Sequence, residues 1–371
     1  MWIVIAVVIA LLVVMKLFEL DFSSIGNAIA NKEEGIVSSV SQGNYPISLT
    51  SSKNAGFGSI SGNVYALTDL NLNIINTSDG EVKLCYEHRL SNPVIDVNGG
   101  YAVLYDQGGL TYSLHSASET VYTDKADNAI LCAAVSQTGN VALATTSDSA
   151  KTTIKVYNKS LDEKFSFDVS YGYVTAIAMD SRGTRLAFSA VNSEGAKLKT
   201  VVYTMNISDT EPRGEFEYPV SSVVDLSFNG SDAYVVGNDF VSTITSLKKE
   251  HKVFEQGSIS LVSYCYDSSS RLVVAFAEFE GATSNSVAIV KPSGKVYSQA
   301  SDLPEIKALS ASSSTVTVLS GNELISYKAS NFEEKQRQIA FESYSAIQHI
   351  STKVFVRYQS FVDIVDNKDN N

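Results

Sequence analysis

Short runs of alternating apolar and polar residues recur along the chain, each reached through a polar turn. The stretch DSRGTRLAFSA (180–190) has counterparts at SGNVYALTD, GGYAVLYD, QTGNVALATT, NGSDAYVVGN, SSSRLVVAF, SSSTVTVL and STKVFVRY. The eight runs open at Asn63, Gly100, Asn140, Thr184, Asp232, Arg271, Thr315 and Lys353, seven steps with a mean of about 41 residues. Period-two alternation predicts strands, and the Gly, Ser, Asn and Asp clusters between the runs predict turns.

Each repeat carries four such strands, here named a to d. In the fourth repeat they are VTAIAM (174–179), RLAFSA (185–190), TVVYTMNI (200–207) and GEFEYPV (214–220). Four antiparallel strands in about 41 residues make one propeller blade, which cannot bury both faces alone and must pack between neighbours. The last repeat has only a, b and c, while YPISLTS (45–51) is an orphan strand ahead of the first a. A ring closed by three strands from the C-terminus and one from the N-terminus would leave no raw edge. The expectation is an all-β, eight-bladed β-propeller over residues 45–371, with seven blades as the alternative count.

The first residues follow a different pattern. MWIVIAVVIALLVVMKLF (1–18) has no charged side chain before Lys16, and a helix of that length spans about 27 Å, close to a hydrocarbon core of about 30 Å. A transmembrane anchor is predicted at 1–18. A cleavable signal is the alternative, although FELDFSS offers no small-x-small cleavage pattern. Lys16 on the far side of the span points the body toward the cytoplasm by the positive-inside rule, and a basic segment upstream would reverse that. Residues 19–44 read as a juxtamembrane helix, with Phe22, Ile25 and Ile29 at helical spacing, and a stalk, or else as a plain flexible tether.

Composition narrows the partners. Hydrophobic residues at 44%, with 19 Tyr and 16 Phe, can fill a core, and 6 Pro with 18% charged residues argue against disorder. The net charge is −12, and no basic run is longer than Lys248–Lys249, so nucleic acid is excluded as the expected partner. Cys85, Cys132 and Cys265 lie far apart in apolar segments and read as buried thiols. His88, His115, His251 and His349 fall in different repeats without metal-ligand spacing, so no metal or cofactor is expected. GFGSISG (56–62) has the wrong glycine spacing for a dinucleotide fingerprint and Ile60 at the centre of GSISG, where an elbow would need its nucleophile.

The motif AMDSRGTRLAFSA (178–190) resembles the blade signature of WD-repeat and related periplasmic propellers, without the Gly-His and Trp-Asp dipeptides of true WD repeats. With the N-terminal segment included, the whole chain resembles a family of bacterial single-span membrane proteins of unknown function whose outer domain is a propeller. The resemblance implies an extracytoplasmic body and brings no catalytic residues with it.

Function is therefore sought in shape. The connections from b to c, and from d to the next a, open on one face of a propeller. The b–c connections SDSAKT (147–152), VNSEGAKLK (191–199) and EFEGATSNS (278–286) are long and predict a decorated rim. Tyr171, Tyr173, Glu194, Lys197, Lys199, Glu278 and Glu280 are the candidate binding residues. The expected role is non-catalytic: a membrane-tethered scaffold or receptor for a protein or envelope polymer. The alternative is a polysaccharide- or peptide-cleaving hydrolase or lyase using Asp96, Asp180, Asp225 or Asp267 at the channel mouth, since each lies on or just after an inner strand. Capping of turn amides is the plainer role for these aspartates, and a satisfied inner-strand histidine is the plainer role for His349.

Overall fold

A computed structural model describes residues 45–195, 197–340 and 344–365. The predicted transmembrane span and juxtamembrane segment, residues 1–44, lie outside the described residues. Among those described, no helix is long and apolar enough to cross a membrane.

The described residues form 32 strands in eight antiparallel sheets of four. Seven sheets take four consecutive strands, from β2 (Gly56–Ile60), β3 (Asn63–Leu67), β4 (Asn71–Ile75) and β5 (Val82–Glu87) in blade 1 onward. The eighth is assembled from both ends of the chain: β30 (Tyr344–Ile350), β31 (Lys353–Tyr358) and β32 (Phe361–Val365) carry β1 (Ile47–Ser48) on their outer edge. Ile47 pairs with Val362 and Ser48 with Phe361. β2 packs against both β6 (Pro93–Asn98) and β30, so the ring is closed. The eight-blade expectation and its three-plus-one closure hold, and the seven-blade alternative falls.

Burial follows strand order because each blade is sandwiched between two others. Strand b is covered on both sides, as in Thr315–Ser320 and Leu272–Ala277 where every residue is buried. The outer strand d alternates, as in β5. The core is divided into eight layers, one per seam; Cys132, Ile154 and Val156 of blade 3, for example, pack on Ile177, Leu186 and Phe188 of blade 4. Cys132 is buried as expected and Cys265 partly so, but Cys85 is exposed, because it lies on the outer strand at a position facing solvent.

The a–b turns explain the repeated DSRG-like signature. Asp180 Oδ1 accepts the amides of Thr184 at 2.6 Å and Arg185 at 3.0 Å, and Gly183 takes φ of +68°, where a Cβ would meet Asn140. Asp267 does the same for Ser269 and Arg271.

The blade 4 connection is not the loop that its polarity suggests. β15 (Arg185–Glu194) and β16 (Lys197–Asn206) stay paired to Glu194↔Lys197. They outrun β14 (Tyr173–Met179), which pairs only as far as Val191, and β17 (Gly214–Pro219), which pairs only as far as Lys199. VNSEGAKLK is thus a two-stranded ribbon standing above the rim. The blade 3 and blade 6 connections are loops as expected.

Candidate functional site

Two regions carry chemistry: the central channel and the face bearing the b–c and d–a connections. The channel opens on the opposite, a–b face through two adjoining cavities of about 340 and 400 Å³. Their walls share Ser59, Tyr266 and Ser268; Asp96, Asn98 and Gln137 line the first, and Ser312, Gln348 and His349 the second. Hydroxyls and amides dominate because the inner strands are sheet edges, whose outward backbone groups require polar partners.

That requirement explains the buried polar residues. Asp96 Oδ2 accepts the amide of Val135 on the next blade at 2.8 Å, and Ser310 Oγ accepts the amide of His349 at 2.8 Å. Asp225 Oδ2 accepts the Tyr266 hydroxyl at 2.8 Å. These are latches between blades. They leave two carboxylates inside the ring, and burial lifts Asp96 to about 6 against the pull of the Val135 and Val97 amides. Burial, reinforced by the charge of Asp96, lifts Asp225 to about 7 against the Tyr266 hydrogen bond. Part of each residue's surface faces the lumen, where water tempers the shift, but protein on all other sides fixes its direction.

Tyrosines complete this interior. Tyr65 comes from strand b of blade 1 and passes the inner strand at Gly58, where a Cβ would lie 2.7 Å from its ring. Tyr264 and Tyr266 come from β22 (Ser260–Tyr266), and burial pushes all three phenols up, helped by the charge of Asp96 at Tyr65, of Asp225 at Tyr266 and of both at Tyr264. Asp180 and Asp267, by contrast, are occupied as turn caps, with Arg185 3.6 Å and Arg271 2.6 Å away. His349 is a satisfied inner-strand residue, buried, with its ring 3.5 Å from Thr317 Oγ1. Among the described residues no three His, Cys, Asp or Glu side chains converge as a metal site.

On the b–c face the structure gathers some of the expected residues and separates others. The Lys199 ammonium lies 6.0 Å from the Tyr171 ring and 2.8 Å from Glu217, and the Lys151 ammonium lies 5.7 Å from the Tyr173 ring. Tyr171, Tyr173, Lys199 and the blade 3 loop therefore share one seam. Lys197 is exposed on the ribbon, with Glu194 as its backbone partner. Glu278 and Glu280 are exposed on blade 6, with all of blade 5 intervening.

Sequence reasoning missed the apolar side chains of this face. Of the eleven exposed large hydrophobic residues among those described, nine (Leu70, Leu110, Tyr173, Leu198, Val220, Val224, Val262, Phe279 and Ile339) lie at b–c or d–a ends, and Val296 and Tyr297 lie at the other. Val224 and Val262 are extra residues of β-bulges that recur at the b–c end of five inner strands, including β18 (Val223–Asn229) and β22. Bulges of this kind re-aim side chains. Val220 is 71% exposed and holds φ at +71°, a backbone region hostile to β-branched residues, with its amide on Leu198 O at 3.1 Å. Val220→Gly is expected to raise the unfolding free energy by about 0.5 kcal/mol, relief of left-handed strain exceeding the loss of glycine entropy. Urea unfolding checks this, and a loss of stability would show that the conformation is unstrained.

Comparison with known proteins places the chain within a fold and a family. A family model described as "Family of unknown function (DUF5711)" matches residues 37–366. No curated protein matches the sequence. Among solved structures, the C-terminal WD40 domain of Sif2 aligns with a TM-score of 0.58 at 11% identity, covering 87% of this chain and 99% of that one. A chain of the mitotic checkpoint complex aligns with a TM-score of 0.50 at 10% identity, covering 88% and 92%. At such identities the likeness shows the WD40-type propeller fold alone.

Proposed function

We propose for this chain, which belongs to the DUF5711 family of unknown function, the role of a membrane-tethered, extracytoplasmic scaffold that binds a protein or envelope polymer on its b–c face. The observation that carries this reading is the one-sided exposure of apolar side chains, centred on Tyr173, Leu198, Val220 and Val224 of blades 4 and 5. Contiguous apolar exposure ringed by polar groups favours docking, and Lys151, Lys199 and Glu217 provide the polar groups. The path of the chain supports the same orientation. Tyr45 donates to Asn76 O at the far end of blade 1, so the backbone reaches β1 from the a–b side. A span at residues 1–18 would hold that side toward the membrane and turn the b–c face away from it.

The test is photo-crosslinking in cells from Tyr173 and Leu198, with Gly62 on the a–b face as control, together with the variant Leu198→Asp/Val220→Asp. Adducts confined to the b–c positions, falling about tenfold or more in the variant as a central contact is lost, support the scaffold. Adducts equal from both faces would sink it. A reporter fused after Asn371 that reads cytoplasmic would overturn the placement and leave the face intact. The hydrolase or lyase reading draws on the raised Asp96 and Asp225, which could hold a proton near neutrality. Turnover of an envelope polymer that disappears in Asp96→Asn while the fold persists would replace the scaffold.

A further inference from the structure

The a–b side of blades 5 and 6 carries a charge pattern foreign to the rest of the molecule. The chain has a net charge of −12, and its other cations on this side are largely engaged: Lys164 with Asp162, Lys328 with Glu333, Arg213 with Asp209 and Lys159 with Tyr101. Lys248 and Lys249, at the c–d turn of blade 5, and Lys291 and Lys295, at that of blade 6, are all exposed and face no carboxylate within ion-pair distance among the described residues. The acids nearby are committed: Asp232 accepts the Ser246 amide at 3.0 Å, and Asp267 is paired with Arg271.

The two turns form one patch. A Cβ on Gly294, in the blade 6 turn, would lie 2.6 Å from His251 Cβ on β21 (Lys249–Phe254) of blade 5. Lys249 is two residues away and so on the same side of that strand. Tyr297 stands between cations, its ring 4.9 Å from the Arg271 guanidinium and 4.8 Å from the Lys291 ammonium. Tyr297 and Val296, at 40% and 41% exposure, are the two exposed large hydrophobics among the described residues that do not lie on the b–c face.

We propose that this patch, Lys248, Lys249, Lys291 and Lys295 with Val296 and Tyr297, binds the anionic headgroups of a phospholipid surface. Ammonium groups with no carboxylate partner among the described residues meet headgroup charge, while a tyrosine and a valine reach the interfacial zone where aromatic and short apolar side chains settle. The patch lies on the face from which the chain approaches β1. It stands on charge and exposure and does not require the tether.

The full-length protein, mixed with vesicles of phosphatidylcholine alone or with added phosphatidylglycerol, would be floated and its lysines acylated in place. Flotation on neutral vesicles reports the tether, whereas protection of these four lysines reports the patch. Protection of about tenfold on phosphatidylglycerol vesicles only, with Lys159 and Lys328 unchanged and the effect erased by high salt, is the expected result. Lys248→Gln/Lys249→Gln would lower the membrane partition of the patch about 25-fold, about fivefold per lysine, and so abolish the protection of Lys291 and Lys295. Equal labelling on both vesicles overturns the proposal, as does protection by a soluble polyanion with none on vesicles.

Discussion

Asp225→Asn is expected to stabilise the propeller by about 2 kcal/mol at about pH 8 and to change it little near pH 4. The wild-type carboxyl titrates at about 7 in the folded chain against 3.8 when unfolded. A raised carboxyl favours folding only while the folded state keeps its proton, so its contribution is present below 3.8 and is lost as pH rises through about 7. A shift of this size corresponds to roughly 4 kcal/mol, halved here because the lumen wets part of the residue. Asparagine carries no charge to desolvate and can still accept the Tyr266 hydroxyl. Asp96→Asn should act likewise with its midpoint nearer 6. His115, lowered to about 4 by burial, works in the opposite sense, since stability is lost as pH falls from 6.5 toward 4. It is common to both proteins and cancels in the difference. Urea unfolding of wild type and variant from about pH 4 to 8 checks the result, and a difference that stays flat with pH would mean that the carboxylate is well solvated or compensated.

The second large effect is expected at Arg357, fully buried in β31 at the seam where the ring closes. Its Nη1 donates to Asn54 Oδ1 at 2.8 Å and Leu67 O at 2.9 Å, and its Nη2 to Lys53 O at 2.7 Å. Burial lowers its pKa to about 10. One guanidinium thus joins blade 8, the connection after β1 and blade 1. Arg357→Ala would strand those acceptors and open a cavity, at a cost of about 4 kcal/mol. Arg357→Lys should recover less than half, because an ammonium lacks the planar fork that reaches opposed acceptors. Urea midpoints measure both, and limited proteolysis between residues 49 and 55 localises the damage. A cost under about 1 kcal/mol would assign closure to the β1–β32 pairing alone.

Most of the scaffold is legible in the sequence, because turn chemistry repeats where the backbone repeats. Asn63, Asp232, Thr315 and Lys353 begin their strands, and the other four openings fall one residue early. The ribbon of blade 4 escapes because NSEGAKLK is polar on both faces, and local polarity reads as loop when hydrogen bonding across the ribbon supplies the order. The channel escapes differently. Asp96 and Asp225 look like Asp180 and Asp267 in sequence, but they lie within strands and turn toward the lumen, whereas the other two follow strand ends and meet turn amides. Tyr65 could not be placed there without knowing that Gly58 leaves room for it. Leu198 is a single apolar residue in a polar connection and Val220 closes the predicted strand d, and only folding gathers them with residues of neighbouring connections.

The pairing of Ser48 with Phe361 carries a consequence for biogenesis. The innermost layers can form as each repeat leaves the ribosome, since every seam but the one between blades 8 and 1 joins neighbours in sequence. The outer strand of blade 8 is made more than three hundred residues before its partner. At about 5–20 residues per second it waits on the order of half a minute. Through that interval the nascent array has two raw ends, β2 without blade 8 and the newest blade without its successor. A pairing so distant in sequence is also slow to find. The molecule should therefore depend on holdase protection late in synthesis, and a truncation of even a few residues at β32 should be cleared by quality control rather than accumulate as a seven-blade remnant.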